Sequence, residues 1–427
     1  MQWLDIDLTR GQDATTRRGL LDRAHAQHDR LVRLQQAEGL DSSAVHASLT
    51  ELGQLLFRAA QTGNPAAFAP DRTDLGAASP SLTGAATESP IGYHLIVATD
   101  DLVLPWTCLH NGIRFVLELA PICADRRSSV KSARRGDWSR RWEDQIQAEQ
   151  SRGPSRLGEV VRRFRPEDCA DPGVLFLDGH GRGDGTVQAK LERAMLDEAL
   201  AQLGDGQRLA WLETPAGAMT PGRLVRTGRR YQGFHFSGAT AAPQQTAATA
   251  QLSGWEALAR DLMMSAEEEQ DLEPVGVDPV TALLDRISER AEQGRLHPWS
   301  GGAGTRTQSG TGERWLLEDG PVAPEDLARQ AATPPLVFSN SYLGLTAFGP
   351  RFLMSGASAV VGPHLAVSQP RACAFAGDFY RTLAGGATVA SALRTAALAC
   401  RDRSGADDPA WLSYGMLGSG ALALQYL

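Results

Sequence analysis

Two runs of this chain end an apolar stretch in small polar residues and a glycine: Phe234-His-Phe-Ser-Gly-Ala-Thr240 and Leu336-Val-Phe-Ser-Asn-Ser-Tyr-Leu-Gly344. If such runs are strands of a parallel sheet, their carboxyl ends are where functional groups collect. A third run, Asp178-Gly-His-Gly-Arg-Gly-Asp-Gly185, places His180 among glycines at a strand-to-helix connection. The chemistry these residues allow is nucleophilic, with Ser341 attacking and His180 taking its proton. Without a base, the serine hydroxyl is inert. The glycines around His180 also suit a phosphate cradle at a helix N-terminus, but the run fits neither the P-loop nor the dinucleotide fingerprint. A plain strand-to-helix turn is the favoured reading. His235 lies within its strand and packs or hydrogen-bonds beneath the site, while Gly238, Asn340 and His364 stand at or beside strand ends and are candidates for the walls of the same cleft.

No group of His, Cys, Asp and Glu has metal-ligand spacing, and neither metal nor cofactor is expected. The five cysteines, Cys108, Cys123, Cys169, Cys373 and Cys400, are odd in number, scattered and never spaced as C-x-x-C. Reduced, buried thiols are expected rather than disulfides or a zinc site.

The elements that must position these residues follow from periodicity. Asp13 and Thr15 can cap a first helix with Leu20, Leu21, Ala24, Leu31 and Leu34 on one face, and a second runs from about Ser43 to Ala60. His25, His28 and His46 lie on these helices and read as surface residues. Residues 62–90 are rich in Gly, Ala, Ser, Thr and Pro and read as a linker. Strands are expected at Tyr93–Ala98, Arg114–Leu119, Val174–Leu177, Leu209–Leu212, Gly233–Phe236, Leu336–Ser339 and Ala359–Gly362. Helices are expected at Gln188–Leu203, Pro221–Thr227, Pro324–Ala332, Phe348–Ser355, Arg371–Leu383 and Thr388–Cys400. Short apolar strands alternating with amphipathic helices indicate an α/β fold with a mostly parallel sheet flanked by helices. The rhythm breaks between about 240 and 312, an insertion with low complexity and an acidic run at Glu267–Glu269. Trp255, Trp299 and Trp315 flank or lie within it, and docking onto the body is their expected role.

The chain has 427 residues, which at about 150 per domain predicts two or three domains. A hydrophobic fraction of 42% is ample for a core, and a net charge of −8 argues against nucleic-acid binding by the whole surface. The arginines between 126 and 165 are interleaved with acids, as on a solvated helical face. No apolar run is long enough to span a membrane, and the first ten residues lack a signal-peptide layout, so a cytoplasmic protein is expected.

Three further runs carry a resemblance. Phe352-Leu-Met-Ser-Gly-Ala-Ser-Ala-Val-Val-Gly362 is followed by the long run from Asp378-Phe-Tyr-Arg to Ala392-Leu-Arg394. Upstream stands Leu104-Pro-Trp-Thr-Cys-Leu-His-Asn-Gly-Ile-Arg-Phe115. Together with Asp408-Pro-Ala-Trp411, these make residues 45–427 similar to the bacterial CHAT family of caspase-like peptidases, relatives of caspases and separases.

The resemblance implies a caspase-like fold: an N-terminal helical segment (1–61), a linker (62–90), a degenerate first half (91–170), and a second half (171–427) with a remnant active site. It also locates the departures. The family's catalytic His position is occupied by Ala239 and its catalytic Cys position by Ser341, while Thr107 replaces a Glu and Pro363-His-Leu replaces a tryptophan-bearing turn. A cysteine peptidase needs a thiol beside an imidazole, and these positions supply neither. The expectation is therefore a pseudo-protease that binds a protein partner in a bacterial defence or cell-death system. The alternatives are a caspase-like cysteine endopeptidase whose His and Cys were replaced at 239 and 341, and a serine hydrolase using Ser341.

Overall fold

The computed structural model describes residues 2–7, 14–38, 43–63, 93–99, 101–125, 162–163, 173–179, 192–198, 224, 231–238, 240–241, 314–317, 320–329, 333–341, 343–420 and 422–423. Among these, strands β1 (Gln2–Asp7), β2 (Tyr93–Ala98), β3 (Ile122–Asp125), β5 (Val174–Gly179), β6 (Gly233–Gly238), β10 (Leu336–Asn340), β11 (Ala359–Pro363) and β12 (Tyr414–Gly418) form one sheet. Its order is β1-β2-β3-β12-β11-β10-β6-β5. Every neighbouring pair is parallel except β11 with β12. Two parallel halves therefore meet at one antiparallel seam, and the carboxyl ends of β5, β6, β10 and β11 lie along one edge. Short ladders join β4 (Arg162–Arg163) to β13 (Leu422–Ala423), and β7 (Thr240–Ala241) to β8 (Arg314–Leu317) to β9 (Gly320–Val322).

Strands β6, β10 and β11 are buried at every position, and β10 and β11 open on the apolar runs Leu336–Phe338 and Ala359–Val361. A parallel strand covered on both faces has no polar side to alternate with. The helices are α1 (Ala14–Glu38), α2 (Ser43–Gly63), α3 (Pro324–Arg329), α4 (Gly344–Met354), α5 (Gln369–Ala384) and α6 (Val389–Ser404), with a further helical segment at 192–198. Thr388 caps α6 by accepting from the Ser391 amide. One continuous core runs from Leu31 and Leu52 through Leu95 and Phe176 to Leu393 and Trp411. None of the described helices is long and apolar enough to cross a membrane.

The α/β reading holds, and several details differ. The strand expected at Arg114–Leu119 is instead a 3-10 turn at Val116–Glu118, and the strand follows at Ile122–Asp125. The Glu118 carboxylate folds back to accept from the Phe115 amide at 3.1 Å, and that local bond closes the turn. Strands β1 and β12 lie outside the sequence-based assignment, β12 because Tyr414-Gly-Met-Leu-Gly418 is short and flanked by turns. His28 is not on the surface; it is buried against His364, ring centroids 6.5 Å apart. The expected strand at Leu209–Leu212, the linker at 64–90 and residues 242–312 of the insertion lie outside the described residues.

Helix α2 reaches the body through Gly53, where a Cβ would stand 2.2 Å from the Cys108 carbonyl oxygen and 2.8 Å from His110 Cβ. Helix propensity alone would favour alanine there by about 1 kcal/mol. The clash opposes this and outweighs it, because overpacking against backbone costs about 1–3 kcal/mol. Gly53→Ala should lower the free energy of urea unfolding by about 1 kcal/mol or more.

Candidate active site

The strand ends that carry the candidate residues are held in register by the ladders: Asn340 lies beside Ser237, and Ser237 beside Asp178. Gly238 stands beside Gly179 so closely that a Cβ on Gly238 would fall 2.4 Å from the Gly179 Cα. Only glycine fits. This pins the exits of β5 and β6 together, one residue before His180 and Ala239. Both of those residues lie outside the described residues.

Ser341 follows β10 directly and is fully buried. Its Oγ lies 2.9 Å from Ser339 Oγ, which also receives the Trp315 indole N–H at 3.3 Å. Trp315, on β8, stacks on Phe236 at 4.5 Å and is 1% exposed, so this tryptophan does dock on the body. Trp255 and Trp299 lie outside the described residues. The turn from β10 into α4 passes through Leu343 at φ 50°, a left-handed conformation in a residue with a Cβ. That costs roughly 1 kcal/mol, and such outliers gather where a turn must present a residue at a strand end. Gly344 completes the turn, since a Cβ there would meet the Ser339 carbonyl oxygen at 2.7 Å and Ser341 Oγ at 2.9 Å.

Beneath these strand ends lies a polar cluster built on Glu192, which is 2% exposed. Its Oε1 accepts from His235 Nε2 at 2.8 Å and Asn340 Nδ2 at 2.5 Å, and its Oε2 accepts from the Ser237 hydroxyl. His235 Nδ1 meets the Tyr380 hydroxyl at 3.1 Å, and Tyr414 donates to Asn340 Oδ1 at 2.5 Å. The His235 ring is clamped between Phe176 and Phe338, at 5.1 and 4.9 Å and nearly parallel to both. Burial pushes the Glu192 carboxyl up, but the charge and hydrogen bond of His235 and the bonds from Ser237 and Asn340 outweigh it. The net result is a lowered pKa. Burial, then the Glu192 charge, hold the Tyr380 and Tyr414 hydroxyls well above their ordinary range, so both remain neutral donors.

His364 follows β11 but is 1% exposed, with Nε2 3.5 Å from Cys108 Sγ. The pair resembles a Cys–His dyad in composition only. Burial, then His28, hold the imidazole at about 3, and burial pushes the thiol up. At neutral pH neither charges, so no thiolate forms. All four described cysteines are free and buried, and no group of three metal-binding side chains occurs among the described residues.

The structure thus joins His235 and Asn340 through Glu192, sets Gly238 at the end of β6, leaves Ser341 bonded to Ser339, and places His364 beside Cys108. Glu192, Tyr380 and Tyr414 are the partners that sequence reasoning missed. One signal was available: Glu192 shares a helical face with Leu196, four residues on, and both are buried. Tyr380 stands inside the Asp378-Phe-Tyr-Arg run, where its hydroxyl has a partner 145 residues away.

Residues 310–419 match the model of the CHAT domain. Comparison with curated proteins gives no match. Nineteen solved chains match. Among them is separase in the Saccharomyces cerevisiae separase–securin complex, 12% identical with a TM-score of 0.37, over 80% of this chain and 16% of that one. The chain therefore spans about a sixth of that separase's length.

Because the folded carboxyl of Glu192 is held below its ordinary value of 4.5, its contribution is full above that pH and declines as pH falls toward the folded value. Glu192→Gln should cost about 3 kcal/mol or more at pH 7, by removing the buried charge and turning one of the two oxygens that His235, Asn340 and Ser237 donate to into a donor. The gap between wild type and variant, measured by guanidinium unfolding, should narrow on acidification below about pH 4.5.

Proposed function

We propose that this chain, which carries a CHAT domain over residues 310–419, is a proteolytically silent relative of caspase-like peptidases that works by binding a protein partner. The observation that carries this reading is the state of Ser341. By the resemblance it takes the family's nucleophile position; it is buried, its hydroxyl is engaged by Ser339, and no imidazole hydrogen-bonds it among the described residues. Both His235 nitrogens are committed, one to Glu192 and one to Tyr380. Ala239 cannot act as a base.

The partner in this reading is a protease of the same fold, a protease substrate, or a component of a bacterial defence or cell-death system. The binding element is the insertion that leaves the sheet after Gly238. Its two ends are tied where Thr240 pairs with Trp315 and Ala241 with Arg314. The acidic run Glu267–Glu269 and the tryptophans Trp255 and Trp299 give it charge and anchoring area for a protein surface.

A second reading has one observation in its favour. The framework beneath the site is complete, from the Glu192 cluster to the left-handed Leu343 turn, as in an endopeptidase whose His and Cys had been exchanged for Ala239 and Ser341. Restoring both, as Ala239→His with Ser341→Cys, separates the two. Silence toward a fluorogenic peptide library is the expected outcome, and cleavage would establish the endopeptidase. A fluorophosphonate should leave Ser341 unlabelled; labelling would point to a serine hydrolase. With the protein as bait, deletion of Thr246–Gly310, which spares β7 and β8, should abolish partner capture at unchanged thermal stability.

A further inference from the structure

The histidines of this chain are not spread evenly over it. Five of the nine, His25, His28, His46, His110 and His364, gather where α1 and α2 meet the rest of the molecule. Four of them form two pairs, and in each pair one member comes from a helix and the other from the body. From α1, His28 faces His364, the residue after β11, with ring centroids 6.5 Å apart and both side chains buried. From α2, His46 shares Phe115 with His110, both rings edge-on to it at 6.0 and 4.7 Å.

Neither pair is built to hold charge. The Nδ1 atoms of His364 and His46 are buried and have no hydrogen-bond partner among the described residues. Around His364 stand His28 from α1, the Cys108 thiol at 3.5 Å and the Leu412 carbonyl, and none of these is a carboxylate. Burial, then His28, hold its imidazole at about 3, against an ordinary 6.5. His110 is also lowered, by burial and by His46, which together outweigh the Glu118 charge, and its Nδ1 accepts from the Gly112 amide at 3.0 Å. His25 runs the other way. Its hydrogen bond to Asp101 at 2.5 Å, with the charges of Asp101, Asp29 and Asp22, outweighs burial and raises its pKa. The remaining ties do not titrate between pH 5 and 7. Ala24 and Leu31 lie in the core with Leu21, Val32 and Leu34 packed against it, and Gln35 exchanges bonds with the Ala366 carbonyl and amide at 2.8 and 2.9 Å. At neutral pH the helices are therefore firmly held.

We propose that the attachment of α1 and α2 is a proton-sensitive device, in which acid sets positive charge on both sides of each histidine contact and so weakens the hold of the helices on the body. A docked His364 refuses the proton that a freed one accepts, so docking weakens as pH falls from about 6.5 towards 3. Like charges facing each other in a buried contact add to that cost. Histidine clusters switch interfaces in this way over the range where imidazole titrates. His25 opposes the change, because its bond to Asp101 is strongest with the imidazole protonated and is lost as pH rises. It returns part of the hold in acid. The device is independent of the state of Ser341.

Hydrogen exchange of the full chain at pH 7 and pH 5, each amide's rate divided by its intrinsic rate at that pH, tests this. The Glu192 cluster weakens only below 4.5, so β6 and β10 serve as the internal reference. Amides of α1 and α2 should open about tenfold more readily at pH 5, since His364 alone supplies about twentyfold and His25 gives part of it back. Those of β6 and β10 should change by less than about twofold, because their own buried carboxylate is still charged at pH 5. His364→Phe and His46→Phe each keep an aromatic ring that is neutral at every pH. Each should cut the acid response of α1 and α2 to about threefold or less, and together they should remove it. His46 is only half-buried, so its variant carries the test if the one at His364 does not fold. Helices that open no more readily at pH 5, or only in step with β6 and β10, would overturn the device. So would an acid response that the substitutions leave unchanged.

Discussion

A carboxylate buried among strands must be fully satisfied, and Glu192 imposes that demand on everything around the site. Its oxygens receive bonds from β6 (His235 and Ser237) and from β10 (Asn340). Slipping either strand by one residue would turn those side chains to the other face and leave the charge unpaired. The cost of an unpaired buried charge is several kcal/mol, comparable with a large part of a domain's net stability. The carboxylate thus reinforces a register that β6 already marks by alternating Phe234 and Phe236 with His235 and Ser237. Through His235 it also fixes Tyr380, and so the docking of α5. Through Asn340 it fixes Tyr414 on β12, across the antiparallel seam.

A second set of contacts closes the two halves from the outside. Arg394 on α6 donates to the carbonyls of Leu117 and Glu118 at 2.9 and 2.6 Å, and Arg401 pairs with Glu118 at 2.8 Å. Those carbonyls belong to the 3-10 turn that follows the Leu104–Phe115 run. Two of the stretches that carry the family resemblance, nearly three hundred residues apart, therefore flank one junction. Asp378 holds Arg381 at 2.8 Å and Arg403 at 2.6 Å, which ties α5 to α6. Residues that look like a signature in the sequence are, in the fold, the polar fastenings of the C-terminal layer.

The groups that shape the strand ends and the groups that would perform chemistry there are different residues. The glycine contact between β5 and β6, the Leu343 turn, the Ser339–Trp315 bond and the Glu192 cluster are formed by residues other than 239 and 341. This separation permits the binding role proposed here, and equally the restoration that tests it.

The sequence by itself determined the α/β class, the alternation of strands and helices after residue 172, and the two strand exits that lead to Ala239 and Ser341. Continuous apolar runs bounded by glycine carry that information locally. It also determined that residues 239 and 341 lack an imidazole and a thiol. Only the tertiary structure decided which polar residues share the interior. Glu192, Tyr380 and Tyr414 look like ordinary members of helix and strand, and His28 and His364 look like surface histidines. Their partners lie from 43 to more than 300 residues away, and no local period records a bond of that reach. The antiparallel seam and the Gln35–Ala366 contact belong to the same class. Both depend on the direction in which a distant segment arrives, which is set by packing rather than by neighbouring residues.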